Sequence, residues 1–312
     1  MPTRYLYDLT GDGSKRSKLR TGVGNKARGL CFLNDRGFRV PKTYVCTWEA
    51  YLQWLKGDAS IVHTVYAELC ERLDLSCSYA VRSSANVEDT NAHSFAGQFI
   101  TVLDVRGARG IARALEEVWA QARSPSLEVY REQMGLDADD IKMAVLVQEM
   151  VPPVVSGVVF SKNPLTGMDE VIVEAVRGSG KALVEGGIQP WRWVNKWGAW
   201  IEQPGSETAL STGIDSLRGA AAPIDVALIE QVVDETQSIA KAHGGPIDLE
   251  WVWDGNALYW VQLREITALQ VDVYSNRISR EMFPGLIKPL VWSVNVPLVN
   301  EVWIKILTAL VG

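Results

Sequence analysis

Between residues 24 and 267 the chain alternates short apolar runs with amphipathic stretches, without internal repeats or low-complexity segments. GNKARGLCFLNDRGFRVP (24–41) reads as a helix: Leu30, Leu33 and Phe38 form its apolar face, Gly37 ends it and Pro41 follows. Residues 48–74, 106–123 and 126–134 read as further helices. YAVRSS (79–84) predicts a strand that runs into a polar loop, and AVLVQEMV (144–151) a buried strand. SGVVFSKNP (156–164) and EVIVEAV (170–176) read as two more strands. PIDVALIEQVVDETQSIAKAHGG (223–245) is an amphipathic helix with Pro223 near its start, Asp225 early and Gly244-Gly245 at its end. A hairpin is expected from Pro246 to Thr267. Helix and strand signals are mixed throughout, which gives an α+β or α/β class.

Composition narrows the function classes. The 312 residues, 47% hydrophobic, suffice for one large domain or two lobes. A net charge of -6 with scattered Lys and Arg argues against nucleic acid as the main partner, since such binding needs a clustered basic face. No apolar stretch approaches the ~18 residues of a membrane span, and the N-terminus has no run of signal-peptide type. Cys31, Cys46, Cys70 and Cys77 show no CxxC pairing and read as reduced thiols in a cytoplasmic protein. The tryptophans of WRWVNKWGAW (191–200), with Trp251, Trp253 and Trp260, read as strand packing.

Four segments could carry chemistry. GVGNKARG (22–29) places glycines beside Lys26 at a helix start, where anions are favoured, although the Walker pattern is absent; the plain alternative is a solvated surface lysine, and on either reading the surface helix position is expected to tolerate Ala without loss of folding. VRSSANVEDTNAHSFAGQFIT (81–101) puts Arg82 at a strand end, a fork for phosphate oxygens or a member of a structural ion pair, with Glu88 and Asp89 read as a solvated turn. VQEMV (147–151), before Pro152-Pro153, is either a linker between lobes with an exposed backbone for adenine or a strand that ends there. In the hairpin, alternation puts Asp248 and Glu250 on one face and Gln262 and Arg264 on one face. A loop at Gly255-Asn256-Ala257 sets Glu250 opposite Gln262 and Asp248 opposite Arg264. That cluster suits oxygen ligands to Mg²⁺ with Arg on phosphate, or a cross-strand salt bridge on a wet face.

In this order, GNKARGL with FRVP, YAVRSSANVEDTNAHSFAGQFIT, VQEMVPPVVSGVVFSKNPLTG, GSGKALVEGG and PIDLEWV with LYWVQLREIT resemble the ATP-binding domain of pyruvate phosphate dikinase, phosphoenolpyruvate synthase and rifampicin phosphotransferase. The resemblance covers residues 24 to 267 and implies an α+β ATP-grasp fold with the nucleotide between two lobes. It implies an N-terminal lobe at 1–147, a hinge at 148–151, a C-terminal lobe at 152–270 and the start of a linker at 271–312. Carried over residue by residue, it implies ATP-phosphate contacts from Lys26, Arg82 and Arg264. Gly97, Gln98 and Thr101 would belong to a glycine-rich loop over the phosphates. Gln148, Glu149, Met150 and Val151 would line the adenine, and Glu250 and Gln262 would hold Mg²⁺. Glu265 stands where the family often has Pro, and ANVED where it often has ATAED.

The resemblance also implies that the β-phosphate of ATP passes to a histidine on a separate domain, in a phosphoenolpyruvate-synthase-like enzyme. The alternatives are a rifampicin-type phosphotransferase and a stand-alone, non-catalytic nucleotide-binding module. The chain holds only His63, His93 and His243. None lies in the Gly/Thr-rich context ending in Cys-His that marks the family's carrier, so the carrier is expected beyond Gly312 or on a partner chain. The apolar ending VWIKILTALVG reads as a cut rather than a finished end.

Overall fold

The computed structural model describes residues 4–11, 22–58, 60–88, 99–125, 127–128, 135, 137, 141–180, 190–196, 199–203, 224–266, 301–302 and 304–305. Residues up to Leu269 form one compact unit; Gln270–Gly312 form a second, in which Lys305 bonds Glu301 at 2.7 Å.

The first unit is built on two antiparallel sheets. The first sheet takes β1 (Leu6–Asp8), β2 (Thr43–Cys46), β3 (Ser78–Ala85), β4 (Thr101–Arg106) and β5 (Met143–Glu149), in the order β1-β2-β5-β3-β4. The second takes β6 (Val155–Phe160), β7 (Glu170–Arg177), β8 (Trp191–Lys196), β9 (Ala199–Gln203), β10 (Ile247–Trp253) and β11 (Leu258–Glu265), in the order β11-β10-β6-β7-β8-β9. Five helices accompany them among the described residues: α1 (Gly24–Asp35), α2 (Trp48–Leu55), α3 (Ser60–Arg72), α4 (Gly107–Gln121) and α5 (Val226–His243). The α+β class expected from the sequence is the one observed.

Alternation along the strands decides what each face meets. Val81, Val145 and Val147 of the first sheet pack with Tyr51, Val65, Leu69, Leu115 and Trp119 of α2, α3 and α4. The opposite face presents Val45, Ala144 and Leu146 to Ala27, Leu30 and Leu33 of α1. That core continues into Leu249, Trp251, Trp260 and Leu263 of the second sheet and Ile229, Val232 and Ile239 of α5. Helix α1 is thus the wedge between the sheets. The edge strand β11 is also tied to the segment after α1, the amide of Trp260 donating to the carbonyl of Arg39 at 2.9 Å.

The expected elements are present, with differences that have local causes. Helix α1 stops at Asp35 and Gly37 follows with φ 82°, while α5 is capped by Asp225, whose carboxylate accepts from the Ala227 amide at 3.0 Å, and ends at Gly244 with φ 84°. The single helix expected over 48–74 is two: Gly57 takes φ 79° and the Asp58 carboxylate accepts from the Ser60 amide at 2.9 Å, so the chain stops and restarts. Strands β1, β2 and β4 have no expectation behind them; β1 and β2 are three and four residues long, and β4 is a largely exposed edge without apolar alternation. The tryptophan-rich stretch forms β8 and β9, with Trp191 and Trp193 stacked at 6.2 Å. Most of 126–134 lies outside the described residues.

Candidate nucleotide and metal site

The hairpin reaches the expected side-chain register by an unexpected route. Asp248 pairs with Arg264 and Glu250 with Gln262, yet at the turn Trp253 pairs with Leu258 and Trp251 with Trp260. The ladder therefore skips Val261, a β-bulge that shifts the register by one residue between the turn and the site. The bulge has a chemical consequence. The carbonyl of Val261 accepts from Arg82 Nη1 at 3.0 Å and from Gln148 Nε2 at 3.4 Å.

Arg82 is the centre of the arrangement. It lies on β3, between β5 and β4, and alternation turns it away from the α2–α4 core toward the second sheet. Nη1 also donates to Gln148 Oε1 at 3.2 Å. Nη2 donates to Glu250 Oε2 at 3.3 Å and to Gln262 Oε1. Glu250 in turn lies between two guanidiniums, its Oε1 being 3.9 Å from Arg264 Nη2. Glu250 keeps 27% of its side chain exposed, whereas Gln262 is 1% exposed and its amide nitrogen has no hydrogen-bond partner. Swapping that amide would aim its NH₂ at the Arg82 donor, so the oxygen belongs on Arg82. A buried donor left over in this way needs an acceptor.

The same geometry tests whether the residues suit a hard cation. Glu250 Oε2 and Gln262 Oε1 converge on one positive centre, the Arg82 Nη2 group. One carboxylate and one amide oxygen, with phosphate and water oxygens completing the shell, is a donor set that Mg²⁺ accepts. Among the described residues no group of three or more His, Cys, Asp or Glu side chains could hold a metal alone. The residues thus fit a metal that arrives with its phosphate ligand, not a cage built from protein alone.

Lys26 is placed by a close packing of α1 on β3. Gly24 opens α1 with φ 66°, and a Cβ there would stand 2.0 Å from the carbonyl oxygen of Ser84. Ser84 Oγ donates to the Val23 carbonyl at 2.7 Å and accepts from the Ala27 amide at 3.1 Å. Lys26 is no surface lysine: it is 8% exposed, and its ammonium donates to Glu88 Oε1 at 2.8 Å and Ser83 Oγ at 3.2 Å. Glu88, read from sequence as part of a solvated turn, is 3% exposed. The signal that could have found it is its spacing: three residues after Ala85, it folds back to accept that residue's amide at 2.8 Å.

The remaining site residues divide. Gln148 and Glu149 belong to β5, where Gln148 faces Thr43 and Ala80 on the two neighbouring strands and offers its side chain, not its backbone, to the site. The amides of Glu149 and Met150 are engaged within the sheet, donating to Lys42 and Ser78 carbonyls at 2.8 and 2.9 Å. Val151 comes after this pairing and is half-buried. Thr101 lies exposed across from Arg82 on β4. Gly97, Gln98 and His93 lie outside the described residues.

Residues 59–282 match the family model described as pyruvate phosphate dikinase, AMP/ATP-binding domain. The chain is 33% identical over 222 residues to a probable phosphoenolpyruvate synthase of Archaeoglobus fulgidus, covering 66% of this chain and 29% of that protein. It is 32% identical over 237 residues to a phosphoenolpyruvate synthase of Pyrococcus furiosus, covering 69% and 29%. A rifampicin phosphotransferase of Streptomyces sviceus is 35% identical over 234 residues, covering 68% and 27%. The matched region therefore spans under a third of the length of these relatives. In shape the chain is distantly similar to an L-amino acid ligase from Bacillus licheniformis, with a TM-score of 0.41, 14% identity, and 90% and 56% of the two chains covered. This chain belongs to the pyruvate phosphate dikinase AMP/ATP-binding domain family.

Proposed function

We propose that this chain binds MgATP and is the nucleotide-binding part of a dikinase-type phosphotransferase, which passes the β-phosphate to a histidine on a separate domain. The observation that carries the reading is the convergence of Arg82, Glu250, Gln262 and Arg264 from two different sheets, with an unpartnered buried Gln262 amide among them. Lys26, Arg82 and Arg264 contact phosphate oxygens. Glu250 and Gln262 hold Mg²⁺, which when bound neutralises phosphate charge. Gly97, Gln98 and Thr101 belong to the loop over the phosphates. Met150 and Val151 line the adenine beside Gln148 and Glu149, and because the Glu149 and Met150 amides are engaged in the sheet, Val151 supplies the first backbone amide beyond that pairing. The lobes divide at 148–151, with 1–147 before, 152–270 after, and a linker starting at 271. In phosphoryl transfer such groups position the nucleotide and neutralise charge rather than react.

The favoured final acceptor is that of a phosphoenolpyruvate synthase, supported by relatives of that printed name at 32–33% identity. A rifampicin-type acceptor is the second reading, supported by the relative at 35% identity. The carrier histidine then lies in a further domain or on another chain, in the cytoplasm. Two assays test this. Calorimetry should give MgATP binding to this chain, and its absence would overturn the reading. Incubation with β-labelled ATP should leave no acid-labile label on the protein; stoichiometric label lost in His93→Ala would show that the chain supplies its own acceptor.

A further inference from the structure

Lys26 and Glu88 are buried together as a charge pair. Removing two charges from water costs several kcal/mol per ion, and a buried pair is often matched or bettered by apolar residues of equal volume. This pair is nevertheless over-determined. Glu88 accepts from Lys26 Nζ at 2.8 Å, from Ser83 Oγ at 3.1 Å and from the Ala85 amide at 2.8 Å. Its backbone carbonyl also accepts from the Asn25 side chain, so both ends of Glu88 are tied to the head of α1. Lys26 has three N–H donors, of which Glu88 and Ser83 take two. Ser83 directly follows Arg82 in β3, so the pair is tied to the same strand that carries the guanidinium.

We propose that Glu88 is the positioning residue for Lys26, orienting the ammonium so that its third N–H meets the β- or γ-phosphate of the nucleotide. The proposal rests on the MgATP reading above. Glu88 acts through Lys26 and touches no ligand itself. A long, flexible lysine loses rotamer freedom when it engages a phosphate, and a partner that has already ordered it removes part of that cost from binding.

The test measures affinity of the 312-residue chain for MgATP and for AMP, which lacks the β- and γ-phosphates, in wild type, Glu88→Gln, Lys26→Met and the double variant. Glu88→Gln should weaken MgATP about tenfold while changing AMP by less than about twofold, a tenfold loss being the scale of one well-placed charge contact. In the Lys26→Met background Glu88→Gln should add almost nothing, because the residue it positions is gone. If Glu88→Gln does not fold, Glu88→Asp takes its place, keeping the charge at shorter reach, with a smaller ATP-selective loss expected. Equal losses for MgATP and AMP, or additive losses in the double variant, would overturn the proposal. Failure of both Glu88 variants to fold would assign the pair a structural role alone and overturn it as well. A wild-type chain that ignores MgATP removes the underlying reading too, whereas a wild type that binds with Glu88→Gln unaffected removes only this inference.

Discussion

Arg82 and Glu250 stand 3.3 Å apart, although 168 positions of chain and two separate sheets lie between them. The contact is half of a fork: the same guanidinium nitrogen bonds Gln262 Oε1, and Arg264 approaches the other oxygen of Glu250. Under the proposed MgATP reading, Glu250 and Gln262 would hold the metal with the same oxygens that now bond Arg82, and Arg82 would then be free for phosphate.

That reading predicts a metal-selective defect. Glu250→Gln removes the single carboxylate of the pair and should weaken ATP binding in Mg²⁺ by about tenfold or more, with a much smaller change in EDTA. Calorimetry with and without metal decides the matter; an unchanged magnesium effect would reduce the cluster to a salt bridge.

Burial of Lys26 reverses the expectation that Ala is tolerated there. Lys26→Ala leaves Glu88, 3% exposed, without its counter-charge. The cost should be about 3 kcal/mol, the lower end of what breaking a buried pair costs. Denaturant unfolding should show a lower midpoint for Lys26→Ala than for the double change Lys26→Met with Glu88→Leu, which removes both charges. A midpoint equal to wild type in Lys26→Ala would defeat the argument.

Close backbone approach at the head of α1 should be equally sensitive. Gly24 combines φ 66° with a Ser84 carbonyl oxygen 2.0 Å from where a Cβ would stand. Gly24→Ala should cost about 3 kcal/mol or more, because backbone rather than a flexible side chain must move. Gly245, with nothing within 4 Å of its ideal Cβ, is the control and should tolerate Ala. Equal thermal stability of the two variants would count against the packing account.

The second sheet carries a pH-sensitive tie. Hydrogen bonding from Lys196 at 2.7 Å, and then from Asn163 at 2.8 Å, holds the Glu170 carboxyl below its ordinary range. A lowered folded-state value means stability that is present above the unfolded-state value and lost as pH falls through the folded one. Glu170→Gln should therefore melt below wild type at neutral pH, and the gap should close as pH drops through and below the carboxylate range. A gap independent of pH would assign the loss to packing instead.

Local chemistry determined much of this protein. The face of Glu250 and Gln262, the helices α1 and α5 with their glycine ends, and the strand character of β3 and β5 follow from period, capping and turn residues, which act over a few positions. Even there, the hairpin kept its expected register at the site only because a bulge at Val261 offset a turn one residue different from the one assumed. Tertiary structure alone decided the rest. Spacing from Ala85 hints that Glu88 folds back on its own strand, but its burial is decided only when α1 packs on β3 and covers it, since burial is a property of what lies opposite. Gln148 looks like the start of a linker until the sheet order places β5 between β2 and β3, closing its backbone and aiming its side chain at Arg82. The Arg82 site itself could not be assembled from either sheet's sequence, because its oxygens and its guanidinium meet only after long-range packing joins segments 168 positions apart.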